Sequence, residues 1–95
     1  ILNVDNNTFN ILIIEDDSAI RELLLFNLQN VGYNCSFAEN GETGIEFAKK
    51  NSPDLVLLDL MLPGIGGIDV CSYLKRNNKT SHIKIIMVTA LGQEK

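Results

Sequence analysis

Four oxygen-bearing side chains follow directly after runs of apolar residues in this 95-residue chain. Glu15 and Asp16 come after Ile11-Leu12-Ile13-Ile14, Asp59 after Leu55-Val56-Leu57-Leu58, and Thr89 after Ile85-Ile86-Met87-Val88. An acid that ends a buried strand is costly without a partner. Carboxylates held close together raise one another's pKa unless a cation lies between them. Mg²⁺ prefers hard oxygen ligands, and it commonly takes one or two carboxylates together with waters and a phosphate oxygen. Convergence of these acids would therefore make a Mg²⁺ site that can also accept a phosphoryl group. Asp17 and Ser18, next to the first pair, read instead as helix caps.

Convergence requires a scaffold, and the hydropathy pattern supplies one. Each of the three runs is short and apolar throughout, and Ile11-Leu12-Ile13-Ile14, followed by Leu55-Val56-Leu57-Leu58, carries the signature of a strand covered on both faces. Between the first two runs, Ile20, Leu23, Leu24, Leu28 and Val31 recur at helical steps, and Gly32 is placed to close that helix. Cys35, Phe37 and their neighbours form a short strand ending at the Asn40-Gly41 turn signal. A helix is predicted from about Glu42 to Lys50, with acids early, lysines late and Pro53 as its stop. Met61 to Gly67 reads as a loop, and the next helix turns Val70, Cys71 and Leu74 inward. Ile83 to Val88 is the last strand. Strand–helix alternation of this kind builds a doubly wound α/β parallel sheet with right-handed crossovers. Ligands of such sheets bind outside the carboxyl ends of the strands, where Glu15, Asp16, Asp59 and Thr89 stand.

Composition narrows the function classes. Apolar residues make up 45% of the chain and charged residues 21%, a globular balance for one domain. The net charge of −4 disfavours a nucleic-acid surface and suits an acidic cation site. Cys35 and Cys71 form no C-x-x-C pair and read as small core residues of a reduced, cytoplasmic protein. No apolar run approaches a membrane span, and the start of the chain lacks the order of a signal peptide. Residues 1–10, with four asparagines and no periodicity, read as a flexible leader. Asn6-Asn7-Thr8 and Asn78-Lys79-Thr80 match the glycosylation acceptor by chance, and His82 is read as a solvated loop residue without a role.

Three segments resemble the hallmark segments of response-regulator receiver domains in two-component signalling, in the family's order and spacing. They are Ile11-Leu12-Ile13-Ile14-Glu15-Asp16-Asp17, Leu55-Val56-Leu57-Leu58-Asp59-Leu60-Met61-Leu62-Pro63-Gly64, and Ile85-Ile86-Met87-Val88-Thr89-Ala90. The resemblance covers about residues 10–95. It implies a flavodoxin-like sheet of strand order 2-1-3-4 over residues 11–95, with Asp59 accepting a phosphoryl group from a histidine kinase. Asp16 would bind Mg²⁺ directly, Glu15 mainly through its waters, and Met61 through its backbone carbonyl. Thr89 would donate its hydroxyl to the phosphoryl group, and Ala90 would leave room for it. An output domain, of DNA-binding type by analogy, would be the downstream partner.

The family pattern continues into a fifth strand and helix, and the sequence ends at Lys95, so an incomplete receiver is expected. No residue here matches the family's lysine after the fifth strand: Lys84 lies early in strand four and Lys95 in the loop beyond Thr89. Strand four would then be an exposed edge, and pairing with a second copy is expected. Gly66 stands where the family often has Asp. Gly64-x-Gly66 is a poor match to a dinucleotide fingerprint, since Asp69 replaces the third glycine. An aspartyl phosphatase of D-x-D type would need an acid where Met61 stands. A pseudo-receiver that only makes protein contacts is the remaining alternative, and Mg²⁺ binding separates it from a phosphoacceptor.

Overall fold

The computed structural model describes residues 9–88. The readings for Thr89 and Ala90, and nearly all of the expected leader, lie outside these residues. The apolar runs become strands β1 (Asn10–Ile14), β3 (Leu55–Asp59) and β4 (Lys84–Val88), and the Cys35–Phe37 segment becomes β2 (Asn34–Ala38). All pairings are parallel, in the order β2-β1-β3-β4. Helices α1 (Ser18–Asn30), α2 (Gly41–Asn51) and α3 (Gly67–Arg76) connect them.

Strand alternation divides the buried residues between two faces. Leu12, Ile14, Val56 and Leu58 point to the face where Ile45 and Ala48 of α2 meet Val70 and Leu74 of α3. Ile11 and Ile13 are buried with opposite parity, and α1 packs against β1 and β2. Cys71 is half-buried against the main core, whereas Cys35 is half-buried outside it. The core reading therefore holds at Cys71, which packs against the main cluster, and not at Cys35. Both thiols are free, and burial pushes that of Cys35 up.

The predicted α1 stripe holds at Ile20, Leu24 and Leu28, which are half-buried, and fails at Leu23 and Val31. Leu23 is 60% exposed and Val31 is also exposed, while Leu24, Leu25 and Leu28 are half-buried and Arg21 is buried. The inward stripe thus runs Arg21, Leu24, Leu25, Leu28, a regular i, i+3, i+4, i+7 set with a cation at its head. Asp17 caps the helix by accepting from the amides of Ala19 and Ile20. Gly32, at φ 106°, closes it: its amide donates to the Gln29 carbonyl and the Tyr33 amide to the Leu28 carbonyl. At α2 the Asn40-Gly41 signal proves to be a helix start, with the Asn40 side chain accepting from the Thr43 amide. Its end is set by Ser52 in the left-handed conformation, with buried Pro53 following.

Two neighbouring glycines before α3 have different jobs. A Cβ on Gly67 would lie 2.4 Å from the Asp59 carbonyl oxygen and 2.8 Å from Leu60 Cα, both backbone atoms that cannot move aside. Gly66 is the N-cap, at ordinary φ, and a Cβ there would meet open space. Gly67→Ala is therefore expected to cost about 1–3 kcal/mol in urea unfolding. Gly66→Ser should leave the midpoint within about 0.5 kcal/mol, since serine caps well and meets no clash. Equal losses in the two variants would refute the assignment of the close approach to Gly67.

Candidate functional site

Register builds the site before any side chain is considered. Ile14 pairs with Leu58 across β1 and β3, so the next step along the two strands sets Glu15 beside Asp59. The sheet order makes this the place where the chain passes to opposite sides, β2 on one flank and β3 on the other, which is the crevice such sheets use for ligands.

Carboxylate oxygens of Glu15, Asp16 and Asp59 lie within 4.8 Å of one another. Glu15 and Asp59 are each only 3% exposed, and Asp16 faces solvent. Glu15 is pinned by its neighbours: its amide donates to the Ala38 carbonyl, and its Oε2 accepts from the Asp17 amide at 3.1 Å. One oxygen of Asp59, Oδ1, accepts from the Met61 amide at 3.1 Å. The other, Oδ2, is buried and has no hydrogen-bond partner. A buried acceptor left unsatisfied costs about 1–3 kcal/mol, and more when charged, so it marks a place awaiting an electrophile or a cation. Three hard oxygen donors, one orphaned and one open to solvent, fit Mg²⁺.

Of the residues predicted for the site, Glu15, Asp16 and Asp59 are brought together. Met61 is joined to them through its backbone amide rather than the predicted carbonyl, for which no contact is seen among the described residues, and the residue is 54% exposed. Arg21 had no assigned role in the sequence reading, yet it reaches the same loop, donating from Nη1 to the Glu15 carbonyl at 3.1 Å. A signal existed: a cation stands at a helical-stripe position otherwise filled by leucines. Ser52 Oγ lies 3.0 Å from Nε2 of His82, far from the acids in sequence and still solvent-exposed.

Burial lifts the Glu15 carboxyl and its Asp17 hydrogen bond works against that, while the charge of Asp59, a hydrogen bond shared with the Asp59 carboxylate and the charge of Asp16 add to the rise, which reaches about 7. An acid raised above its usual 4.5 keeps its proton in the fold where the unfolded chain has released it. Stability without metal should therefore fall as pH rises from about 4.5 to 7. Glu15→Gln should remove most of that slope in thermal melts followed by circular dichroism. Each kcal/mol is worth about 4–8 °C in a domain of this size, so the change is measurable. An unchanged slope in the variant would mean that another group carries the dependence.

A family model described as the response regulator receiver domain matches residues 11–95. The chain is 47% identical over 83 residues to the DNA-binding dual master transcriptional regulator RpaA of Synechocystis sp., covering 87% of this chain and 34% of that protein. It is 45% identical over 84 residues to the phosphate regulon transcriptional regulatory protein PhoB of Pseudomonas aeruginosa, covering 88% and 37%. The chain thus spans about a third of the length of these curated relatives. Among solved structures, the response regulator TrrA of Thermotoga maritima, in complex with Mg(2+)-BeF, superposes with a TM-score of 0.80 at 41% identity, covering 85% of this chain and 69% of that one. The N-terminal domain of a response regulator receiver protein from Methanoculleus marisnigri gives 0.83 at 32% identity, covering 85% and 66%. With its 2-1-3-4 parallel sheet, its acids at the strand ends and these matches, the chain belongs to the response regulator receiver domain family.

Proposed function

We propose that this chain is a phosphoacceptor module, taking a phosphoryl group from a histidine kinase onto Asp59 and passing the change to an output domain. The observation that carries this reading is Asp59 Oδ2, buried and unpartnered within a cluster of three carboxylates. The Met61 amide holds Oδ1, so the carboxylate is oriented with Oδ2 available as nucleophile. That oxygen's electron pair forms the bond to phosphorus while the phosphorus–nitrogen bond of the donor phosphohistidine breaks. The imidazole nitrogen keeps the bonding pair and is protonated from solvent. Asp16 and Asp59, the Met61 carbonyl, and Glu15 through waters would hold Mg²⁺. The bound ion would offset charge on the phosphoryl oxygens. Thr89 and Ala90 take their roles from the family pattern: a hydroxyl donor to the new phosphoryl group, and space beside it.

The Mg(2+)-BeF complex of TrrA supports the metal assignment. RpaA and PhoB, as transcriptional regulators, support an output domain that acts on transcription, with DNA contacts made outside this acidic domain. No described helix is long and apolar enough to cross a membrane. The module is regulatory, assisting only its own phosphorylation and dephosphorylation. The phosphatase alternative lacks a general acid, since Met61 occupies that position.

Incubation with Mg²⁺ and a small acyl-phosphate donor should give one phosphoryl adduct by intact mass. Asp59→Asn should abolish it, and Asp16→Ala should remove its Mg²⁺ dependence. A wild-type chain that stays unmodified would overturn the phosphoacceptor reading in favour of a pseudo-receiver. We also propose self-association of the 95-residue chain through β4, which has β3 as its one strand partner among the described residues and carries Ile86 at 51% exposure. Sedimentation at high concentration should show a dimer, and a clean monomer would refute it.

A further inference from the structure

Arg21 is the most deeply buried cation among the described residues, only 8% exposed, on a helix that otherwise packs with leucines. A buried charge is retained at a cost unless its contacts offset it. Its contacts converge on the carboxyl ends of β1 and β2. Nη1 donates to the Glu15 carbonyl at 3.1 Å, Nη2 lies 3.9 Å from Oε2 of exposed Glu39, and Cζ sits 4.7 Å from the centre of the Phe37 ring. Nε is buried and has no partner among the described residues.

This fork does not satisfy itself well. The Glu39 contact is long and solvent-exposed, so it contributes little. The one good hydrogen bond is to Glu15, and the atom it grips matters. The Glu15 carbonyl belongs to the peptide unit that joins Glu15 to Asp16. Holding that plane fixes the direction in which both side chains leave the backbone. The Glu15 amide is held from the other side by the Ala38 carbonyl. Glu15 is thus clamped through both of its backbone polar groups, and Arg21 supplies one jaw.

We propose that Arg21 is a positioning residue that aims Glu15 and Asp16 at Asp59. It acts through the backbone and touches neither metal nor phosphoryl group. The inference rests on the reading of this cluster as a Mg²⁺ and phosphoryl site. It makes a prediction of opposite sign from simple electrostatics. A cation beside a metal site repels the metal, so its removal should tighten binding if charge is all that matters. If Arg21 positions the acids, its removal should weaken binding.

The test is a Mg²⁺ titration of the 95-residue chain, read from amide chemical shifts, in wild type, Arg21→Met, Arg21→Lys and Asp16→Ala. Arg21→Met should weaken Mg²⁺ binding by about 10-fold or more, as loss of an outer support commonly does. Arg21→Lys should fall between Met and wild type, because a point donor lacks the planar fork. Thermal melts run alongside. A lower melting point with unchanged affinity would mean a purely structural brace, and tighter binding would mean a purely electrostatic neighbour; either overturns the proposal. Should the Met variant fail to fold, a Lys variant equal to wild type overturns it and a weaker one supports it. Wild-type chain without Asp16-dependent shifts would bring down the metal reading and this inference with it. Normal wild-type binding that persists in Arg21→Met would bring down this inference alone.

Discussion

Three carboxylates held within 4.8 Å, two of them shut away from water, are the constraint that the rest of this fold serves. Such a group repels itself, and burial deepens the penalty because water no longer screens it. The molecule contains that repulsion with backbone. Parallel pairing of β1 and β3 sets the acids side by side, the Ala38 carbonyl and the Asp17 and Met61 amides hold them, and a proton on Glu15 relieves the charge up to about pH 7. Few of these contacts depend on long, flexible side chains. The arrangement is consequently stiff before any ion arrives, which is what a site for a small cation with strict geometry requires.

Stiffness is carried further by close approach on the α3 side. Gly67 lets the first turn of α3 lie against the Asp59 and Leu60 backbone, and its amide donates to the Leu60 carbonyl. On the other flank, Asp59 pairs with Val88, and the Leu60 amide donates to the Val88 carbonyl. Asp59 is therefore paired with β4, and its neighbour Leu60 is bonded to both β4 and α3, while Glu15 at the end of β1 lies alongside. A charge added to the free oxygen would act on a strand end that these elements enclose.

Much of this was legible in the sequence. Continuous apolar runs announce strands, buried nearly throughout at β1 and largely exposed at β4, and acids at their ends stand out because nothing in a hydrophobic strand calls for them. The 2-1-3-4 order came from family resemblance, since alternation alone leaves strand order open. Errors arose where a signal was degenerate. In α1, Leu23, Leu24 and Leu25 are equivalent to a periodicity argument, which reads Leu24 and Leu28 inward correctly but takes Leu23 in place of Leu25. A buried arginine at the head of the true stripe reinforced the error, because charge normally marks the solvent side. At α2, the Asn40-Gly41 pair serves as turn and as helix cap with equal ease, and only its Thr43 partner decides. Cys35 was placed in the core by residue type, yet its strand is flanked by a single neighbour and only partly covered.

Position 61 shows how one residue can be constrained and free at once. Its amide holds Asp59, a service that any residue except proline can provide, while its side chain extends into solvent. Neutral side chains can therefore be exchanged there with the Asp59 contact kept, whereas an acid would add the general acid that the cluster lacks. The rim of the cluster can thus present different side chains to a partner while the carboxylates beneath it keep their places. Variation in what is recognised is thus open at the rim of a cluster whose own geometry tolerates little change.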